Sequence, residues 1–158
     1  MIRQVLFVCT GNICRSPLAE ALLRRAVEGR GLAVAVGSAG TGAWEGAPAS
    51  EGAYLVALEH GLDLSAHRAR LLSRDLVESS DLVLTMARHH RARVDELGGT
   101  GRVQVLGEYA GLAAPDAEVG DPFGGDLEIY RETFGQLEQL IEAVAERLAA
   151  EASSGDPR

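Results

Sequence analysis

Val5-Leu6-Phe7-Val8-Cys9-Thr10-Gly11-Asn12-Ile13-Cys14-Arg15-Ser16-Pro17 decides the reading of this chain. Its first four residues are an unbroken apolar run, as expected of a strand buried on both faces. Gly11 and Asn12 are the residue types that most readily take positive φ, so successive backbone N–H groups can turn inward as an anion nest. Ser16 is predicted as a helix N-cap, with Pro17 at the first helical position. Strand, tight loop and helix start therefore follow one another. The free N–H groups and the dipole of the helix then favour an anion in the loop. Cys9 stands at the strand end, where the helix terminus, an arginine and a hydroxyl stabilise a thiolate. Arg15 offers a planar fork that matches two phosphate oxygens. Its spacing from Cys9 means little alone, because the chain has fifteen arginines and no lysine. The loop chemistry between them carries the reading.

Outward from this stretch, strands and helices alternate. Arg3–Cys9 is predicted as a strand, and Pro17–Arg30 as an amphipathic helix stopped by Gly31. Leu32–Ser38 reads as a second strand, followed by a Gly-rich loop from Ser38 through Trp44 to Gly46. Pro48–His60 reads as a helix, Ser73–Ser79 as a helical turn and Asp81–Met86 as a third strand. Ala87–Leu97 is predicted helical, Val103–Leu106 a fourth strand and Gly107–Gly125 a long functional loop. The helix over 126–151 carries Leu127, Tyr130, Phe134, Leu137, Ile141, Val144 and Leu148 at spacings of three and four. That stripe is expected to pack on the sheet rather than form a coiled-coil seam. The alternation predicts a mainly parallel α/β sheet, with ligands beyond the carboxyl ends of its strands. Residues 1–152 are expected to form a single domain and 153–158 a flexible tail.

Composition narrows the function. The chain has 158 residues, is 46% hydrophobic and carries a net charge of −8. That acidity argues against nucleic-acid binding, while a local basic pocket can still take a phosphate. No apolar run suggests a membrane span, and no leader pattern is evident, so a cytoplasmic protein is expected. The two cysteines, Cys9 and Cys14, suit a reducing compartment. The scattered histidines give no metal-ligand spacing, and no cofactor is implied. A thiolate attacking phosphorus needs a group to protonate the leaving oxygen. Asp121, fixed by Pro122 and flanked by Gly120 and Gly124, is the candidate, because a neighbouring bound dianion favours the acid form of a carboxyl.

These residues resemble the low-molecular-weight protein tyrosine phosphatases over nearly the whole chain. Val8 to Glu20 is similar to the family's phosphate loop and first helix, and Ser38-Ala39-Gly40-Thr41 with Trp44 to a pocket wall. His67-Arg68-Ala69-Arg70, Asp81 to Met86 and Asp121-Pro122-Phe123-Gly124 resemble further family stretches. The resemblance implies a three-layer α/β/α fold, phosphatase I-like, with a four-stranded parallel sheet. It implies Cys9 as nucleophile, forming a cysteinyl-phosphate. Thr10, Gly11, Asn12, Ile13, Cys14 and Arg15 would bind the phosphoryl oxygens. Asp121 would act as general acid, then as base. Ser16 would stabilise the thiolate, and Ser38 and His67 would hold Asn12 in a strained conformation. Cys14 would serve as a redox partner of Cys9. Phosphorylated proteins would be substrates, inorganic phosphate and other oxyanions would be ligands, and the chain would be a monomer or weak homodimer.

Two departures bear on the substrate. Many members carry two aromatics after the Asp-Pro, whereas here Phe123 precedes Gly124, leaving Trp44 and Phe123 to flank a ring. Thr10, His89-His90 and Asp121-Pro122-Phe123-Gly124-Gly125 are similar to a bacterial arginine-phosphatase branch, which carries a threonine where this chain has Ile13. A bulky apolar Ile13 favours phosphotyrosine, with phosphoarginine as the alternative. An arsenate reductase would need a further cysteine, and a phosphocarrier module would not need Asp121.

Overall fold

The computed structural model describes residues 1–113 and 116–154. β1 (Gln4–Cys9) lies inside a four-stranded sheet with β2 (Ala35–Gly40), β3 (Leu82–Thr85) and β4 (Val103–Val105). The spatial order is β2-β1-β3-β4, and every pairing is parallel. β1 is therefore flanked by strands that follow it on opposite sides, the switch point at which such sheets open a crevice. In register, Cys9 faces Gly40 across the ladder and Val8 faces Thr85. The Cys9, Gly40 and Thr85 ends gather at one edge.

The period of two along β1 divides the core. Val5, Phe7 and Cys9 join one apolar cluster, with residues of α1 (Arg15–Gly29), α2 (Glu51–Glu59) and α6 (Leu127–Ser154). Leu6 and Val8 join a second, with Val77 of α3 (Arg74–Glu78) and Val94 of α4 (Arg88–Val94). The sheet thus lies between two helical layers, the α/β/α arrangement. The stripe on α6 buries Tyr130, Phe134, Leu137, Ile141, Val144 and Leu148, and this helix packs mainly on α1 and α2. That corrects the expected docking on the sheet itself. α1 already covers the strands, so α6 completes the layer from outside. No described helix is long and apolar enough to cross a membrane.

Several boundaries move, each for a local reason. β2 starts at Ala35 and runs to Gly40, not from Leu32 to Ser38. Its register is set by β1, where the Ala35 N–H donates to the Arg3 carbonyl. Gly40 reads as a loop residue, yet it is a strand end placed there by close approach. A Cβ on Gly40 would stand 2.4 Å from the Thr10 carbonyl oxygen. The helix predicted over Ala87–Leu97 ends at Val94 and opens into a wide turn over Asp95–Gly99. The loop after β4 begins as a short helix, α5 (Leu106–Tyr109). Ser153 and Ser154, expected in the tail, continue α6. Residues 155–158 of it lie outside the described set.

Candidate active site

Helix α1 begins at Arg15, two residues earlier than predicted, and its N-cap is Cys14. Ser16 is consequently inside the first turn and does not cap the helix. Its hydroxyl instead meets the nucleophile candidate, with Ser16 Oγ 2.9 Å from Cys9 Sγ. Cys9 is itself 2% exposed. Among non-glycine residues described, only Asn12 has positive φ, at 56°. Gly11 takes no positive φ, so the inward curl of the loop rests on Asn12.

An asparagine tolerates that conformation when its polar atoms are held. Asn12 is fully buried. Its Nδ2 donates to Ser16 Oγ at 2.8 Å and to Ser38 Oγ at 2.9 Å. Its Oδ1 accepts the Arg70 N–H at 2.8 Å, and its carbonyl accepts from His67 Nε2 at 2.7 Å. The Ser38 hydroxyl donates to Glu20 at 2.5 Å, and Glu20 pairs with Arg24 at 2.6 Å. Because Ser38 gives its proton to Glu20, its oxygen is free to accept from Asn12. Ser16 Oγ likewise accepts from Asn12, leaving its own proton for the sulfur of Cys9. A continuous chain of polar contacts thus runs from Arg24 on the surface of α1 to the thiol. Ser38 belongs to β2, paired with Phe7, rather than to a loop.

Arg15 is 4% exposed and donates to the Val119 carbonyl at 2.8 Å. Its second terminal nitrogen lies 3.8 Å from an Asp121 carboxylate oxygen. Its Nε is buried with no partner among the described residues. A buried guanidinium N–H without an acceptor is costly, so this side of the pocket is suited to an anion. Asp121 has a half-exposed side chain, and one of its oxygens accepts the Phe123 N–H in a local turn. Val119 is tied in turn to the residue that follows β3, its N–H donating to the Met86 carbonyl. The long loop thereby delivers Asp121 to Arg15.

Cys9, Thr10, Gly11, Ile13, Cys14, Arg15, Asp121 and Phe123 line one cavity of about 200 Å³. Trp44, expected in the wall, is not among these lining residues and is 85% exposed. Its loop is tied to the site by backbone, with the Thr41 N–H donating to the Cys9 carbonyl and the Gly42 N–H to the Thr10 carbonyl. Cys14 sits 3.1 Å from Ser50 Oγ and 3.4 Å from the Tyr130 hydroxyl, and burial pushes its thiol up. Four contributors escaped the sequence reading as site residues: Glu20, Ser50, Tyr130 and His90. Glu20 carried one legible signal, since it lies one helical turn beyond Ser16 on α1.

A buried thiol, a half-satisfied arginine and a carboxyl share an anion-sized cavity at the strand switch point, which is the layout of a cysteine-dependent phosphoric monoester hydrolase. A family model for the low molecular weight phosphotyrosine protein phosphatases matches residues 4–154. The chain belongs to that family. It is 38% identical over 95% of its length to a probable low molecular weight protein-tyrosine-phosphatase, EpsP, of Ralstonia solanacearum, and covers 99% of it. It is 40% identical over 91% of its length to a protein-arginine-phosphatase of Bacillus subtilis, and covers 95% of that protein. The solved tyrosine phosphatase Wzb of Escherichia coli K30, in complex with sulphate, superposes with a TM-score of 0.84. That match has 33% identity and covers 94% of this chain and 99% of the other.

Proposed function

We propose that this enzyme dephosphorylates phosphotyrosine in proteins through a cysteinyl-phosphate on Cys9. The thiolate attacks phosphorus, helped by the Ser16 hydroxyl at 2.9 Å. Arg15 and the amides of the loop from Thr10 to Arg15 hold the phosphoryl oxygens, a role supported by the unpartnered Arg15 Nε. Asp121 protonates the departing oxygen, then takes a proton from the water that frees Cys9. Inorganic phosphate and other oxyanions compete for the same loop. The partners are phosphorylated cytoplasmic proteins, met by a monomer or a weak homodimer.

The observation that carries the substrate choice is Ile13. Its side chain lines the cavity with Phe123 and Cys9, and Gly11 lies just beside it. A branched apolar wall suits an aromatic ring and offers a guanidinium no hydrogen-bond partner. Phosphoarginine is the second reading, favoured by Thr10, by Asp121-Pro122-Phe123-Gly124-Gly125 and by the Bacillus subtilis relative named for that activity. Turnover of matched phosphotyrosine and phosphoarginine peptides tests the choice, and a higher kcat/KM on phosphoarginine overturns it.

A further inference from the structure

We propose that Thr10 orients the water that hydrolyses the cysteinyl-phosphate, and that His90 is the positioning residue that turns the Thr10 hydroxyl into the pocket. His90 is fully buried at the start of α4. Its Nδ1 lies 3.1 Å from the Ala87 nitrogen. A backbone N–H can only donate, so Nδ1 accepts and the ring proton is on Nε2. Nε2 lies 2.9 Å from Thr10 Oγ1 and donates to it. Burial pushes His90 down to about 4, so this tautomer persists at neutral pH.

The threonine oxygen is thereby committed as an acceptor towards His90. No acceptor for its own proton is found among the described residues. Thr10 lines the cavity with Cys9 and Asp121, and is the single hydroxyl among the lining residues. Its oxygen points towards the imidazole, which also feels the charges of Arg15 and Asp121. Ile13 brings no hydroxyl to the pocket, so Thr10 is the side chain available to hold a neutral nucleophile beside the carboxylate.

The inference rests on the cysteinyl-phosphate reading. In the second step, water oxygen forms a bond to phosphorus as the phosphorus–sulfur bond breaks. The electron pair returns to sulfur as thiolate, one water proton passes to the Asp121 carboxylate, and hydrogen phosphate leaves. The Thr10 hydroxyl donates to the second lone pair of the attacking water, while the water donates to Asp121. Such a hydrogen bond acts only after the aryl group has gone. Its loss should slow hydrolysis of the intermediate and leave its formation unchanged.

Rapid-quench and stopped-flow kinetics with an aryl phosphate of good leaving group test this. For Thr10→Val, kcat and KM should fall together by roughly five- to tenfold, a span set by one hydrogen bond. kcat/KM should hold, with a burst of aryl alcohol and more acid-stable phosphoenzyme. Thr10→Ser should restore hydrolysis. His90→Asn still accepts from Ala87 but is too short to reach Thr10, so it should reproduce Thr10→Val. His90→Gln carries an N–H to Thr10 and should rescue. The Thr10→Val/His90→Asn pair should be no slower than either alone. If Thr10→Val loses kcat/KM without accumulating phosphoenzyme, or hydrolyses it at the normal rate, the inference is overturned. The exposed Thr10 site keeps the test decisive even if a His90 variant does not fold. A wild-type enzyme that traps no phosphoenzyme on Cys9 would instead overturn the reading beneath it.

Discussion

Ser16 and Cys9 lie 2.9 Å apart across the phosphate loop, seven residues apart in sequence, and Asn12 already donates to the same Ser16 oxygen. The serine proton is thus directed at sulfur by its neighbour. Ser16→Ala removes that donor and leaves one Asn12 N–H unsatisfied. Hydrogen bonds to charged groups contribute about 1.5–3 kcal/mol, so kcat should fall by roughly ten- to a hundredfold. Iodoacetate alkylation of Cys9 at neutral pH should slow in parallel. Unchanged alkylation would place the role of Ser16 elsewhere.

Asp121→Asn removes a proton donor while keeping the shape of the turn to Phe123. Loss of a general acid costs about 10²–10⁴ in rate when the leaving group is poor. An aryl phosphate whose phenolate leaves unaided should therefore lose far less than phosphotyrosine. Equal losses on the two substrates would contradict the acid assignment.

Ile13→Thr exchanges the apolar wall of the cavity for a hydroxyl next to Cys9. The ratio of kcat/KM for phosphotyrosine to that for phosphoarginine peptides should drop by about tenfold or more, as a site gaining a polar partner for the guanidinium would require. A ratio that does not move would show that Ile13 does not set the preference.

Gly40→Ala puts a methyl carbon 2.4 Å from the Thr10 carbonyl oxygen and 2.9 Å from the Asn12 nitrogen. Neither atom is the end of a flexible side chain, so the phosphate loop must shift. Overpacking of this kind costs about 1–3 kcal/mol. A lower Tm together with weaker phosphate binding is expected. Gly29→Ala, where a Cβ meets nothing within 4 Å, is the control that should do neither.

His90 gives stability a pH dependence. Its value falls from 6.5 to about 4 on folding, chiefly through burial, with His89 and Arg15 adding to the shift and Asp121 opposing it. Between those values the unfolded chain binds the extra proton, so stability is present above 6.5 and is lost as pH falls towards 4. The whole contribution is at most about 3 kcal/mol. Urea midpoints measured from pH 7 to pH 4.5 should decline more steeply in the wild type than in His90→Gln. Parallel declines would assign the acid sensitivity to other groups.

The β1 run, the turn at Asn12 and the alternation of strands and helices were legible because each is a local pattern. Asp121 was legible from its Gly-Asp-Pro setting as the missing proton donor, and the family resemblance added Ser38 and His67, which no spacing rule would join. The helix start at Arg15 was misread because Ser16-Pro17 is good cap chemistry, and the thiol of Cys9 claims the serine instead. β2 was ended too early because Gly40 looks like a loop residue. A glycine is required there by the Thr10 carbonyl, a neighbour that only the folded chain supplies. Trp44 was placed in the cavity wall by analogy, yet the loop that carries it leaves the ring in solvent. His90 and Tyr130 reach the site from 80 and 116 residues away, over distances no periodicity reports.

Every polar atom of the Asn12 side chain is committed to a protein partner. Curvature that an incoming anion would otherwise have to impose is already built into the folded chain. Phosphate therefore enters a rigid receptor, and its binding energy is not drained by ordering the loop. The same rigidity makes the site indifferent to what hangs from the phosphoryl group. Discrimination among substrates is left to the few side chains that stand above the ring, and new preferences can evolve there without disturbing the machinery beneath.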